Sequence, residues 1–311
     1  SSFNNGGSPS ISGWTFGTPS NANGHNFSNM FQSASVFNQP IGSWTWPTGS
    51  VTKMDSMFYS PGGSDFNQDI GSWDVSGVEG ISNSSSFYRM FGSASSFNNG
   101  GSPSISGWTF GPNDNTMFYG ATNFNQPIGS WNVSGVTNMR NMFSSTTNFN
   151  QDIGSWDVST GTDDKFNSMF FDATAFNNGG SPSISGWTFG NYGPNFTLNG
   201  MFWNADSFNQ PIGSWNVSGV TNMWRMFKTA NNFNQDIGSW DVSGVKGTDT
   251  FSGFNEMFQG SINFNNGGSP SISGWTFGPN PVTMKSMFES TLFNQPIGLW
   301  DVSNVTNMAN M

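Results

Sequence analysis

Carboxylates set five residues apart are the first groups in this sequence whose type and spacing suggest chemistry: Asp69 with Asp74, Asp152 with Asp157, and Asp236 with Asp241. Paired acids can serve as acid and nucleophile in glycoside cleavage, or supply oxygen ligands to Ca²⁺. Three copies of one pair argue against a single cleft, because an active site needs unlike groups converging on one reacting atom. Two readings stand for them: solvated turns in which each Asp caps backbone two residues on, and calcium sites. No other cofactor is implied.

Histidine and thiol chemistry has almost nothing to work with, since His25 is the single histidine and cysteine is absent. That removes His-based acid–base catalysis, thiolate metal sites and disulfides, and the chain is expected not to be an enzyme. Sequons with Ser or Thr two residues on occur at Asn26, Asn83, Asn132, Asn195, Asn216 and Asn304, each a possible N-glycosylation acceptor. The net charge of −10 and eight scattered basic residues leave no patch able to neutralise a run of phosphates, so nucleic acid is not an expected partner. No run approaches the roughly 18 apolar residues of a membrane span.

These groups recur because the chain recurs. Phe-Asn opens eleven copies of one motif, at Phe3, Phe37, Phe66, Phe97, Phe124, Phe149, Phe176, Phe208, Phe233, Phe264 and Phe293, spaced 25 to 34 residues apart. The shared pattern is F-N-Q-x-I-G-S-W-x-V, a turn, then M-x-x-M-F. Aromatic content of 16% with 8% charge argues for burial of those rings and against disorder. A single repeat has too few large apolar side chains to offset the ordering of its own backbone, so neighbours on both sides must complete its core. The expected fold is one continuous repeat solenoid over 1–311, β-rich and leucine-rich-repeat-like.

Within a repeat, W-x-V has the two-residue period of a short strand, with Trp and Val inward. M-x-x-M-F has a three- and four-residue period, which predicts one helical or 3₁₀ turn placing Met139, Met142 and Phe143 on one inner face. Trp73, Trp131, Trp156, Trp215 and Trp240 are expected to stack as a structural ladder. The Asn that follows each leading Phe, including Asn67, Asn125, Asn150, Asn209 and Asn234, carries both amide donors and an acceptor. It is expected to satisfy turn backbone in adjacent repeats. The outward residue of W-x-V, from Thr15 and Thr45 to Asp301, forms a polar row that suits a solvent face, or a surface for ice or glycans.

A second period overlies the first. The copies cycle through FNNGGSPSISGWTF, FNQPIGSW and FNQDIGSWDV in fixed order, here termed A, B and C. Tandem duplication of a three-repeat ancestor explains the order. A lateral contact recurring along a fibre, through the GGSP segment (100–103), is the alternative. The chain is expected to be a window on a longer polymer-like one, or its copies to join end to end.

The strings FNQDIGSWDVS (149–159), GVTNMRNMF (135–143) and NVTNMANM (304–311) resemble the BspA-like leucine-rich-repeat surface proteins, in the branch abundant in mycoplasma surface lipoproteins and marine microalgae. The resemblance spans the whole chain. It implies a cell-surface or secreted solenoid used in adhesion or surface structure, with no catalytic residues to carry over. The GGSP insertions and the longer turns at 75–87 and 242–254 depart from a uniform period and favour a straighter or decorated rod. The functional expectation is an extracellular structural protein that self-associates into a fibre or surface filament. Extra aromatics at Trp46, Trp203 and Trp224, expected to be exposed, would pack between chains. The alternative is a surface adhesion module recognising glycans or proteins.

Overall fold

The computed structural model describes residues 3–21, 23–78, 87–108, 116–190 and 192–311. Among these, regular structure is sparse: no α-helix, and four strands of two or three residues, β1 (His25–Asn26), β2 (Val51–Lys53), β3 (Val282–Thr283) and β4 (Val305–Asn307). β1 pairs with β2 and β3 with β4, both parallel and both one repeat apart. The pairing lies just before M-x-x-M-F.

This corrects the strand expected at W-x-V. Trp131 and Val133 are buried around an exposed Asn132, so the two-residue alternation is present. The segment nevertheless makes no strand ladder among the described residues, and the Thr15–Thr45 bridge is isolated.

The helical turn expected at M-x-x-M-F is also replaced. In the first repeat the N–H groups of Met30, Gln32 and Ala34 close turns on the carbonyls of Phe27, Asn29 and Phe31. Those of Phe27, Asn29, Phe31 and Ser33 donate instead to Lys53, Asp55, Met57 and Tyr59 of the next repeat, at 2.7–2.9 Å. Donors thus alternate between closing their own turn and joining the neighbour. Asn29 (φ 60) and Ser33 (φ 57) are left-handed at the third position of their turns, the signature of type II β-turns. Two such turns in succession bring Met and Phe inward at the spacing a helix would. Met139, Met142 and Phe143 are all fully buried.

Short 3₁₀ helices form in the A copies: Pro9–Gly13, Pro103–Gly107, Pro182–Gly186 and Pro270–Gly274. Each starts on a Pro whose fixed φ suits the first helical position and whose missing N–H needs no partner. The preceding Ser accepts the N–H of the second helical residue.

One hydrophobic core runs through all eleven repeats. Within a repeat the Phe of Met-Phe stacks on the Phe that opens the following copy, as Phe143 on Phe149 at 4.0 Å and Phe170 on Phe176 at 3.9 Å. Between repeats the same rings continue, with Phe143 5.7 Å from Phe170 and Phe149 5.8 Å from Phe176. Trp46 is not exposed as expected. It is half-buried, packs edge-on against Trp73, and donates its indole N–H to the Asp74 carbonyl at 2.8 Å.

Close approach of repeats fixes one glycine column. A β-carbon at Gly71, Gly154 or Gly238 would overlap the hydroxyl of Ser104, Ser183 or Ser271 in the next repeat. Gly186, in contrast, faces open space.

Candidate functional site

Many of the residues whose types suggest chemistry join one repeat to the next. The Asn after each leading Phe accepts, through Oδ1, the backbone N–H of its counterpart one repeat on. Asn67 takes Asn98, Asn125 takes Asn150, Asn150 takes Asn177, Asn209 takes Asn234 and Asn234 takes Asn265, all at 2.8–2.9 Å. The second lone pair is also used. On the Asn of A and B copies it receives the Gln amide of the following copy, as Asn177 does from Gln210, Asn125 from Gln151 and Asn209 from Gln235. On the Asn of C copies it receives a Gly N–H of the following A copy, as Asn150 does from Gly179. The relay runs in one direction only.

The indole N–H groups form a parallel relay. Trp73, Trp131, Trp156, Trp215 and Trp240 donate to the carbonyls of Ile41, Ile105, Ile128, Ile184 and Ile212, each one repeat back, at 2.8–3.1 Å. Indole burial and amide satisfaction are achieved together.

The paired carboxylates do not converge. Asp69, Asp152 and Asp236 point forward, each Oδ1 accepting from a Ser hydroxyl of the following A copy, Ser104, Ser183 and Ser271, at 2.5 Å. The same oxygens cap the N–H of Gly71, Gly154 and Gly238. Burial pushes these carboxyls up, but the Ser hydroxyl and Gly N–H outweigh it and hold them below their ordinary value. Asp74, Asp157 and Asp241 turn elsewhere, each accepting the N–H and hydroxyl of a Ser two residues on. Those are Asx turns of the kind that Asp favours. Among the described residues no three His, Asp or Glu side chains gather where a metal ion could sit.

Sequence reasoning missed the second Asn of FNNGG. Asn99, Asn178 and Asn266 are fully buried. Asn178 Oδ1 accepts the N–H of Ile153 at 2.9 Å, while its amide donates to Ser181 O, Ser183 Oγ and Asp152 Oδ1. This Asn and the C-copy Asp lock a C copy to the A copy after it. The available signal was that Asn replaces Gln in every copy that follows a C copy.

Of the sequons, Asn26, Asn132, Asn195 and Asn216 are exposed. Asn304 is half-buried and donates to the Gly278 carbonyl. Asn83 lies outside the described residues.

Two basic side chains break the pattern. Lys165 is fully buried, donates to the Thr160 carbonyl and lies over the Phe166 ring. Burial pushes its ammonium down to about 8 against a smaller opposing pull from Asp157. Arg225 sits between Trp203 and Trp224, with its guanidinium carbon 4.6 and 4.4 Å from their ring centres. Glu256 accepts from both Arg225 Nε (2.8 Å) and Lys228 Nζ (2.5 Å). Trp203 and Trp224 are therefore half-buried parts of a closed cation–aromatic–carboxylate cluster, and not free as expected.

Recurrent pairing between neighbouring copies defines a tandem-repeat protein. The chain belongs to the family described as Mycoplasma protein of unknown function, DUF285, which matches residues 17–111, 112–193, 195–267 and 247–311. No curated protein and no solved structure matches it. Among the described residues no helix is long and apolar enough to cross a membrane.

Proposed function

We propose that the chain is a non-catalytic extracellular structural protein, a BspA-like solenoid of leucine-rich-repeat type that self-associates into a fibre or surface filament. The observation that supports this most is the one-way relay: Asn Oδ1 of each repeat takes the backbone N–H of the next at ten successive steps, from Asn4–Asn38 to Asn265–Asn294. A stack built this way is polar and grows by the same contacts at every step. The leading asparagines, the indoles and the forward-pointing carboxylates are spent on contacts between copies, which supply rigidity and length. The GGSP segments have open space around Gly101, Gly180 and Gly268 and are the surface through which a lateral contact would recur every third repeat.

Sedimentation velocity over a dilution series tests the reading. Species far larger than 33.7 kDa that survive dilution support it. A folded monomer at every concentration would overturn it in favour of a surface module that recognises glycans or proteins.

A further inference from the structure

The aromatic and basic residues that depart from the repeat are not scattered. Three of the four tyrosines surround one arginine, with the Arg89 guanidinium carbon 5.1 Å from the ring centre of Tyr88, 5.4 Å from Tyr119 and 5.7 Å from Tyr59. A pocket of about 290 Å³ opens beside it, lined by Tyr88, Arg89, Thr116, Tyr119, Asn138, Arg140 and Asn141. Two of the chain's three arginines thus face one pocket in a protein of net charge −10.

Arg89 is placed there against local backbone preference. It occupies the left-handed third position of its turn (φ 50), where Asn29, Ser56, Asn141, Ser168, Gly200 and Ser286 stand in other copies. Small polar residues and Gly adopt that conformation most readily. The other large side chains at this position, Arg225 and Glu256, are paired with each other. Arg89 has no carboxylate partner among the described residues. Arg140 is held only by an exposed ion pair to Asp164 at 3.1 Å. The Thr116 hydroxyl is buried with no hydrogen-bond partner among the described residues.

We infer that this pocket binds a carboxylate-bearing sugar unit of an acidic polysaccharide, such as a uronate. The guanidinium groups of Arg89 and Arg140 match a carboxylate, as forked donors do. The Tyr88 and Tyr119 rings, which hold the Arg89 guanidinium over one face, line the pocket with apolar surface for sugar C–H groups, and Thr116, Asn138 and Asn141 supply partners for hydroxyls. Strain held at one position, with a cation above it that no carboxylate among the described residues pairs, is what a binding site leaves visible. The Arg225 cluster makes the contrast, because Glu256 already fills the place a ligand carboxylate would take. This inference does not depend on whether copies associate into fibres.

The test is calorimetric titration of the full chain, at low salt, with trigalacturonate, neutral cellotriose and triglutamate. Trigalacturonate is expected to bind at least tenfold more tightly than either of the other two. Arg89→Ser, which installs the residue found in the neighbouring copy, and the surface variant Arg140→Gln should each weaken it at least tenfold while leaving the thermal midpoint within a few degrees of the parent. Undetectable trigalacturonate binding at millimolar concentration, or affinity unchanged in both variants, overturns the site. Equal binding of triglutamate overturns the sugar assignment and leaves an acidic peptide as the ligand.

Discussion

Replacing Asn178 and Asn5 by Ala removes the same side chain from the same local sequence, FNNGGSPSISGW, and the two variants should behave differently. Asn178 is fully buried behind a C copy, where its Oδ1 is the partner of the Ile153 N–H and its amide steadies Asp152. Alanine orphans a buried donor, which costs about 1–3 kcal/mol, and leaves a small cavity whose lost contacts add about 1 kcal/mol. The total is on the order of 2–4 kcal/mol. Asn5 is half-buried and, among the described residues, bonds within its own turn, to Ser8 O and Ser10 Oγ. Its loss should cost no more than about 1 kcal/mol. Denaturant unfolding compares the two. Because repeat arrays depart from two-state behaviour, amide exchange at Ile153 gives the local reading, with protection falling in Asn178→Ala and unchanged in Asn5→Ala. Equal effects would refute the claim that the second Asn acts as a lock between copies.

Further outcomes follow from the same geometry. Gly154→Ala drives a β-carbon into Ser183 and should cost about 1–3 kcal/mol, whereas Gly186→Ala, facing open space, should be near neutral in the same thermal melts. Lys165 is charged and buried at neutral pH. Its folded-state value of about 8 lies below the ordinary 10.5, so the unfolded chain binds more protons between the two and stability rises with pH across that window. The displacement opposes folding at pH 7 by on the order of 3 kcal/mol, and Lys165→Met should raise the thermal midpoint and flatten the alkaline rise. Asp69, Asp152 and Asp236 carry the opposite sign. Their contribution is complete above the unfolded carboxylate value of about 3.9 and is lost as pH falls through the lower folded values. The triple Asp→Asn variant should therefore show a shallower acid-denaturation limb, read by circular dichroism.

What the sequence made legible was whatever depends on residue type recurring at fixed intervals. The Trp column and the leading Phe-Asn identify repeated positions directly, because an indole or a phenyl ring placed every 25 to 34 residues has to stack on its counterpart. The backbone of M-x-x-M-F was misread for a physical reason: two type II turns in series present Met139, Met142 and Phe143 inward at the same spacing as a helical turn. Side-chain periodicity alone does not separate the two. Asn, Ser and Gly mark the left-handed third place in most of these turns, and Arg89, Arg225 and Glu256 are exceptions. Similarly, W-x-V alternates in burial without a paired strand, because alternation reports which way side chains face and not where amides bond. The role of Asn178 was hidden since its partners, Ile153 and Asp152, belong to the preceding copy and no local rule joins them. Lys165, an isolated cation in an aromatic core, gave no sequence signal that it would be buried.

The central claim is that one polar stacking rule extends along a fibre, and an electron-microscopy power spectrum of the native material tests it most directly. A continuous stack predicts layer lines near about 4.8 Å, the spacing of hydrogen-bonded neighbours, and near about 14–15 Å for the three-repeat unit. Short discrete particles lacking axial order would contradict it.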